Sequence, residues 1–344
     1  MKKLLIIAFL FLAFIGCDKD SLNKPLSDIL YVRSNGNSMP AYIYGNGKEK
    51  VFMLLLHGGP GGNGIEYRDG LYAELLEKEF AVIYWDQRGQ GMAQGKPKKD
   101  DLNIELMAQD IETLITVIRN KYGNDSKIFL YGHSWGGTLG SAFIVNKERQ
   151  KLVSGWIESN GAHDLPFLNR ESVKLFITIG NEQIAKNHSV TEWTDIVKWA
   201  KGIDTNNITS EISGELNAKA FEVEDLLGND GELAGSKPSE KLYFYSPINS
   251  ITNFITGNKT NALLNDEIEK TSFTSQISNI TKPCLFMTSK FDFVVPPALA
   301  IDAYNRKTGT NKELKIFQFS GHSPMNGEAE LYANTIIQFI KKYN

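Results

Sequence analysis

The stretch Gly132-His133-Ser134-Trp135-Gly136 places a serine between two glycines at the junction of two sequence patterns. The segment before it, residues 127–131, is short, mostly apolar and β-prone. The segment after it, residues 137–145, consists of small and apolar residues, a composition typical of a closely packed helix. A serine on a sharp strand-to-helix turn needs glycine neighbours, because only they let the chain approach closely. The stretch predicts a nucleophile elbow, with Ser134 as the nucleophile of a serine hydrolase.

Around the elbow, apolar runs alternate with helical patterns, which is typical of an α/β fold with a mostly parallel central sheet and helices on both faces. An N-terminal hairpin is expected from residues 29–32 and 41–44, with Pro40 marking the edge of its second strand. The predicted strands that follow are 51–56, 80–85, 127–131, 153–158, 284–289 and 314–319, and the clearest predicted helices are 102–122 and 329–341.

Residues 163–281 differ in sequence pattern from the rest of the chain. They have aromatic residues among polar, helix-like stretches and no strong buried strand. A structureless excursion of that length is unusual in a compact domain. We therefore predict an inserted helical cap over residues 163–281, which divides the core into residues 29–162 and 282–344.

The N-terminus predicts export. Lys2 and Lys3 precede an apolar run too short to span a bilayer. Gly16-Cys17 ends that run and resembles a bacterial lipobox, although Phe14 departs from the usual leucine. The expectation is a signal peptide over residues 1–16, lipidation of Cys17, a tether over residues 17–28 and a place in the cell envelope on a membrane. An ordinary secretory peptide or an uncleaved anchor is the alternative.

Composition narrows the partners and the chemistry. The 37 basic and 40 acidic residues give a net charge of −3, and no long basic block occurs, so nucleic acid is excluded as a partner. The second of the two cysteines, Cys284, lies in an apolar run and is expected to be a buried core residue. No His, Asp and Glu cluster has the spacing of metal ligands, and no cofactor is expected.

A serine nucleophile requires a base, an acid that orients it and donors for the oxyanion. His322 follows the last predicted strand, and Asp292 follows the strand before it, in the chain order of this kind of hydrolase. The competing histidines are at elbow, glycine-loop or cap positions (His57, His133, His163, His188), and the competing acids are Asp266 and Asp302. The expected oxyanion donors are the backbone N–H groups of Trp135 and Gly59.

Three motifs resemble the α/β-hydrolase fold and, within it, the prolyl aminopeptidase (proline iminopeptidase) family. They are His57-Gly58-Gly59-Pro60-Gly61, Asp86-Gln87-Arg88-Gly89-Gln90-Gly91 and Gly132-His133-Ser134-Trp135-Gly136-Gly137. The resemblance covers roughly residue 51 to the C-terminus and is specific outside the predicted cap. It implies Ser134, Asp292 and His322 as the triad, with Gly59 and Trp135 as oxyanion donors.

Two departures bear on the substrate. Ala93 replaces the family's serine, and the cap lacks a Trp-x-x-Trp-Glu run. An aminopeptidase also needs acids to hold the substrate's ammonium group, and the cap offers Glu192, Glu222, Glu224 and Asp225. The favoured function is an aminopeptidase that releases N-terminal proline or another small residue from peptides. The alternatives are an esterase or amidase on a small acyl substrate, and a non-catalytic binding protein.

Overall fold

The structure, a computed structural model, describes residue 22 and residues 24–95, 98–236 and 256–344. The predicted signal peptide, Cys17 and five further residues of the predicted tether (18–21 and 23) lie outside the described residues, as do residues 237–255 of the predicted cap. Within the described ranges, no helix is both long enough and apolar enough to cross a membrane.

In the described part of the chain, eight strands form one sheet. They are β1 (Leu26–Ser34), β2 (Asn37–Gly45), β3 (Val51–Leu56), β4 (Ala81–Trp85), β5 (Lys127–Ser134), β6 (Gly155–Gly161), β7 (Cys284–Ser289) and β8 (Lys312–Phe317). Their spatial order is β1-β2-β4-β3-β5-β6-β7-β8. β2 is antiparallel to both of its neighbours, and all other neighbouring strands are parallel. The predicted α/β class with a mostly parallel sheet is confirmed.

Helices pack on both faces of this sheet, and further helices form the segment between β6 and β7. They are α1 (Leu71–Glu79), α2 (Ile104–Tyr122), α3 (Trp135–Ile144), α4 (Lys147–Gln150), α5 (Leu165–Ala185), α6 (Val190–Lys201), α7 (Ser210–Asn229), α8 (Asn258–Ile268), α9 (Pro297–Arg306), α10 (Pro324–Gly327) and α11 (Ala329–Tyr343). The predicted helices 102–122 and 329–341 correspond to α2 and α11.

The N-terminal hairpin is longer than predicted. β1 begins at Leu26, so the last three residues assigned to the tether belong to a strand. Pro40 lies inside β2 rather than at its edge, opposite Tyr31 of β1. Its carbonyl accepts from the N–H of Asp86 at 3.0 Å, one residue beyond the end of the β2–β4 pairing. A proline is tolerated there because the ladder that would need its missing N–H stops at that point.

β8 also differs from its prediction, since it spans residues 312–317 and not 314–319. Pairing of Cys284 with Lys312 sets the register. The N–H of Phe319 donates to the Glu328 carboxylate, so at this residue the chain is no longer paired with β7. β8 is an edge strand with only one fully buried residue, Phe317, so its hydrophobic pattern does not mark clearly where the strand begins and ends.

β3 shows why the central strands are apolar throughout. Phe52, Leu54 and Leu56 pack into the cluster under α2 and α3, and the alternate residues Val51, Met53 and Leu55 pack under α1 and α11. Side chains of a strand alternate between faces, so helices on both sides of the sheet require six consecutive apolar residues. This arrangement fixes the carboxyl ends of β3, β5 and β7 at one edge.

The described part of the segment between β6 and β7 carries α5 to α8, which we call the cap helices. α5, α6 and α7 share a third apolar cluster with Phe291, Phe293 and Val295 from the loop after β7. Phe176 and Trp193 pack on the ring of Phe293, with centroids 4.9 and 6.3 Å from it. The cap helices therefore hold the loop that contains Asp292.

Candidate active site

Ser134 lies on a strained turn between β5 and α3. Its φ and ψ are 56° and −122°, a conformation that residues with a side chain rarely adopt. A Cβ on Gly132 would overlap the backbone of Gly136, and a Cβ on Gly136 would overlap the carbonyl oxygen of Leu56. The glycines on both sides of Ser134 are thus required by close backbone approach, as the spacing predicted.

His322 and Asp292 meet at the carboxyl ends of the neighbouring strands β7 and β8. Both carboxylate oxygens of Asp292 lie 3.1 Å from Nδ1 of His322. The carboxylate also accepts from Asn160 Nδ2 and from the backbone N–H of Val295, each at 2.7 Å. Because an ionised carboxylate only accepts, Nδ1 carries the proton and Nε2 is left with a lone pair. Nε2 of His322 is therefore able to accept a proton, as a general base does.

The electrostatics of His322 favour that role. Burial alone would lower the pKa of the imidazole, but the charge and hydrogen bonds of Asp292, together with the charge of Glu224, raise the pKa above its usual value. Asn160 is the residue that sequence reasoning missed here. It has a positive φ of 47° and lies near the end of β6. Its position after an apolar predicted strand is the one signal of a functional role that the sequence contains.

His133 joins the elbow to the His322 loop. Its Nε2 lies 2.9 Å from the backbone oxygen of His322, and the two rings are 4.8 Å apart. The hydroxyl of Tyr67 accepts from the N–H of Gly58 at 2.9 Å and lies 2.7 Å from His133 Nδ1. Tyr67 then donates to Nδ1, and His133 donates from Nε2 to the carbonyl of His322. This chain places His322 beside the strand end that carries Ser134.

The glycine loop after β3 is held by the Asp86–Gly91 motif. Gln90 Oε1 accepts from the N–H of Gly61 at 2.5 Å. Asp86, which is fully buried, accepts from the N–H groups of Gly64 and Met92 at 2.7 and 2.8 Å. The motif therefore fixes the loop through its backbone.

Gln87 connects the same motif to the elbow. Its side chain donates to the carbonyl of His57 at 3.1 Å and accepts from the indole N–H of Trp135 at 2.8 Å. Trp135 opens α3, where a backbone N–H has no partner within the helix, and both Trp135 and Gly59 line the cavity at Ser134. The two predicted oxyanion donors are thus brought to one place.

The cavity at Ser134 has a volume of about 240 Å³, below the roughly 300–1,000 Å³ of pockets for drug-sized ligands. Its wall combines polar side chains, such as those of Asn169 and Ser213, with the apolar side chains of Leu165, Leu168, Phe293, Val294 and Val295. We call this cavity the acyl pocket. It has room for a small acyl group.

Among the described residues, one carboxylate lines the acyl pocket, and sequence reasoning missed it. Glu269 follows α8 directly. Burial raises the pKa of its carboxyl above the usual range, and a hydrogen bond with Ser213 opposes part of that rise. Only the packing of α8 brings Glu269 to the pocket, so the sequence offered no local signal for it.

The four acids predicted to hold a substrate ammonium separate into two places. Glu192, Glu222 and Asp225 line a different groove, between α6 and α7, which does not contain Ser134. Glu222 is also paired with Lys219 at 2.6 Å. Glu224 alone of the four reaches His322, where its carboxylate accepts from the backbone N–H at 2.7 Å. The positions of Glu192 and Glu222 do not fit the predicted role.

The competing residues have other partners. Asp302 pairs with Arg306 at 2.5 Å and Asp266 with Lys99 at 3.4 Å. Cys284 is buried, and burial raises the pKa of its thiol to about 12. In the described part of the chain, no group of three or more His, Cys, Asp or Glu side chains is arranged to hold a metal ion.

Comparison with known proteins agrees with this fold. A model of the family described as alpha/beta hydrolase fold matches residues 51–326. A probable aminopeptidase from Bacillus subtilis is 26% identical over 302 residues, which cover 86% of this chain and 90% of the relative. A proline iminopeptidase from Thermoplasma volcanium is 27% identical, with the same 86% and 90% coverage.

The fold likeness extends to solved structures. The crystal structure of a proline iminopeptidase from Mycobacterium smegmatis superimposes with a TM-score of 0.63 at 13% identity, over 92% of this chain and 98% of that one. The chain belongs to the α/β-hydrolase family and is a hydrolase. Within the family it is similar to proteins named proline iminopeptidase.

Proposed function

We propose that this hydrolase is a serine aminopeptidase that releases N-terminal proline or another small residue through an acyl-enzyme. The observation that carries the proposal is the carboxylate of Glu269 in the small acyl pocket beside Ser134. A buried ammonium group is stable only when it is paired with an opposite charge. A pocket built for an uncharged acyl group has no need of a partly buried carboxylate.

The proposed reaction uses the geometry around His322. The Oγ of Ser134 attacks the scissile carbonyl carbon while its proton passes to Nε2 of His322. The N–H groups of Gly59 and Trp135 stabilise the oxyanion. The carbon–nitrogen bond then breaks, and the leaving amine keeps the electron pair and takes the proton from Nε2.

Deacylation repeats these steps with water. Water attacks the ester carbon and gives a proton to Nε2, the bond from carbon to Ser134 Oγ breaks, and Oγ recovers that proton. Asp292 stabilises the imidazolium of His322 in both halves, with Asn160 and the N–H of Val295 holding the carboxylate.

The acyl pocket supports an amino-acid substrate of limited size. Phe293, Val294 and Val295 supply an apolar wall for a ring or a short aliphatic side chain. Glu269 is the proposed partner of the ammonium group, whereas Glu224 lies next to His322 and outside the lining of the acyl pocket. The cavity volume favours release of one residue at a time.

The test compares proline and alanine p-nitroanilides with p-nitrophenyl acetate, on the wild type and three variants. Ser134→Ala should abolish both activities. Glu269→Gln should raise KM for the anilides at least tenfold and leave acetate hydrolysis unchanged, since acetate has no ammonium group. Glu222→Gln is the matched control, because this exposed acid lies outside the acyl pocket.

Each outcome decides between the proposed functions. Ester hydrolysis without anilide hydrolysis would make the protein an esterase, and amide hydrolysis that is indifferent to Glu269 would make it an amidase on a small acyl substrate. A wild type that turns over none of these substrates would favour the non-catalytic binding protein.

We also propose that the protein is anchored by lipid at Cys17 after removal of residues 1–16, and that it faces the periplasm or the exterior. The basic start, the apolar run and Gly16-Cys17 support this. Cells that express the full chain should yield a protein that partitions into detergent, and Cys17→Ser should move it to the aqueous phase. Equal partitioning of both forms would refute the anchor.

A further inference from the structure

Helix α7 presents two side chains, one turn apart, to His322. Glu224 accepts from its backbone N–H at 2.7 Å. The ring of Phe221 meets the imidazole edge to face, with the centroids 6.4 Å apart and the planes at 84°. Residues three apart share one face of a helix. That face of α7 therefore lies against His322.

Phe221 differs from the other apolar residues of α7. Its side chain is 51% exposed, while Leu216, Ala220 and Val223 are buried in the cap. A single exposed apolar residue is ordinary on a protein surface. Phe221 is unusual because one part of its ring contacts the proposed catalytic base and the rest is open to solvent. It also lies outside the acyl pocket.

The path of the proton from His322 to the leaving group indicates what Phe221 would contact. Nδ1 of His322 faces Asp292, so Nε2 delivers the proton to the leaving group. General acid catalysis requires the leaving atom to come within about 3 Å of the donor nitrogen. The acyl side of the substrate occupies the pocket at Ser134, so the leaving side must extend past the imidazole, where Phe221 offers apolar surface.

We propose that Phe221 forms the leaving-group subsite and selects substrates whose residue after the scissile bond is apolar or aromatic. This inference rests on the proposed acyl transfer at Ser134. An aromatic or branched side chain on the leaving amine would cover the exposed ring of Phe221, and glycine would leave it in water. The preference should appear in acylation only, because the leaving group has departed before deacylation.

The test uses two substrates with one acyl group, alanyl-glycinamide and alanyl-phenylalaninamide. The wild type should show the higher kcat/KM on alanyl-phenylalaninamide, and Phe221→Ala should reduce the ratio of the two values about tenfold. Phe221→Leu should retain most of the preference. Tyr31→Ala is the control, since Tyr31 is an aromatic residue, 58% exposed, on the distant edge strand β1.

The ratio separates binding of the leaving group from a structural effect. If Phe221 only supported the ring of His322, its truncation would lower kcat/KM equally for both amides, and the inference would be wrong. An unchanged ratio would also overturn it.

If neither dipeptide amide is hydrolysed but acetate esters are, the aminopeptidase proposal fails. The ratio of kcat/KM for benzyl acetate to that for methyl acetate then tests the leaving-group subsite in the same way. If the wild type hydrolyses no substrate, both proposals fail.

Discussion

The carboxylate of Glu224 accepts a hydrogen bond from the backbone N–H of His322 at 2.7 Å, although the two residues are 98 positions apart in the chain. Burial and the charge of Asp292 raise the pKa of Glu224 to about 7, and the charge of His322 and its N–H oppose that rise. In turn, the charge of Glu224 helps to raise the pKa of His322. A cap helix thereby takes part in setting the protonation of the proposed base.

We expect Glu224→Gln to move the acid limb of kcat/KM to lower pH. Activity requires neutral His322, so it falls as pH drops through the pKa of the imidazole. Removing a nearby negative charge destabilises the imidazolium and lowers that pKa. A pH profile on p-nitrophenyl acetate, which carries no titrating group, measures the shift. A limb that stays in place or moves to higher pH would contradict this coupling.

Gln90→Ala should lower kcat by roughly 10–100-fold with little change in KM, because oxyanion donors act only on the transition state. The side chain of Gln90 holds the N–H of Gly61 at 2.5 Å, two residues after the proposed donor Gly59. Gln109→Ala is the control, since Gln109 is an exposed glutamine on α2. Steady-state kinetics would refute the expectation if KM alone changed.

Asp110→Ala should destabilise the fold by about 3–5 kcal/mol, because it leaves a buried charge without its partner. Arg88 donates to the two Asp110 oxygens at 2.6 and 2.8 Å, and both side chains are fully buried. Asp266→Ala, which removes an exposed pair with Lys99, should have no measurable effect. Urea unfolding of both variants makes the comparison, and equal losses would contradict it.

Stability should fall as pH drops from about 6.5 towards 4, partly through His57. Burial lowers the pKa of His57 to about 4, against a smaller opposing effect of its hydrogen bond to Gly58. The unfolded chain binds a proton at about pH 6.5 while the folded chain does not, so protonation favours unfolding over this window. His57→Gln should reduce the loss by up to about 3 kcal/mol.

His188→Gln provides the control for that experiment, because His188 is partly exposed in the cap. The free energy of unfolding is measured for the three proteins at pH 4, 5.5 and 7. An identical pH dependence of the wild type and His57→Gln would rule out the assigned contribution.

The parts of the site that the sequence predicted are those encoded by short-range spacing. The turn at Ser134 depends on glycines two residues away, and Asp292 and His322 each follow a strand whose carboxyl end must reach the same edge of a parallel sheet. These constraints are local, so a single sequence displays them.

The parts that it missed depend on how helices pack. Glu269 reaches the site only because α8 lies where it does. The sequence named Glu224 as a candidate but could not distinguish it from exposed acids such as Glu192 and Glu222, because only the packing of α7 brings Glu224 to His322. Asn160 and Tyr67 act through hydrogen bonds to residues more than 60 positions away. No periodicity or motif in one sequence encodes such distances.

The central claim is that Ser134 is a nucleophile activated by His322, and covalent labelling tests it most directly. The protein is treated with a fluorophosphonate, and the modified residue is located by peptide mass spectrometry. The account predicts one label per chain, on Ser134, absent in Ser134→Ala and strongly slowed in His322→Gln. Modification of another residue, or none in the folded wild type, would contradict it.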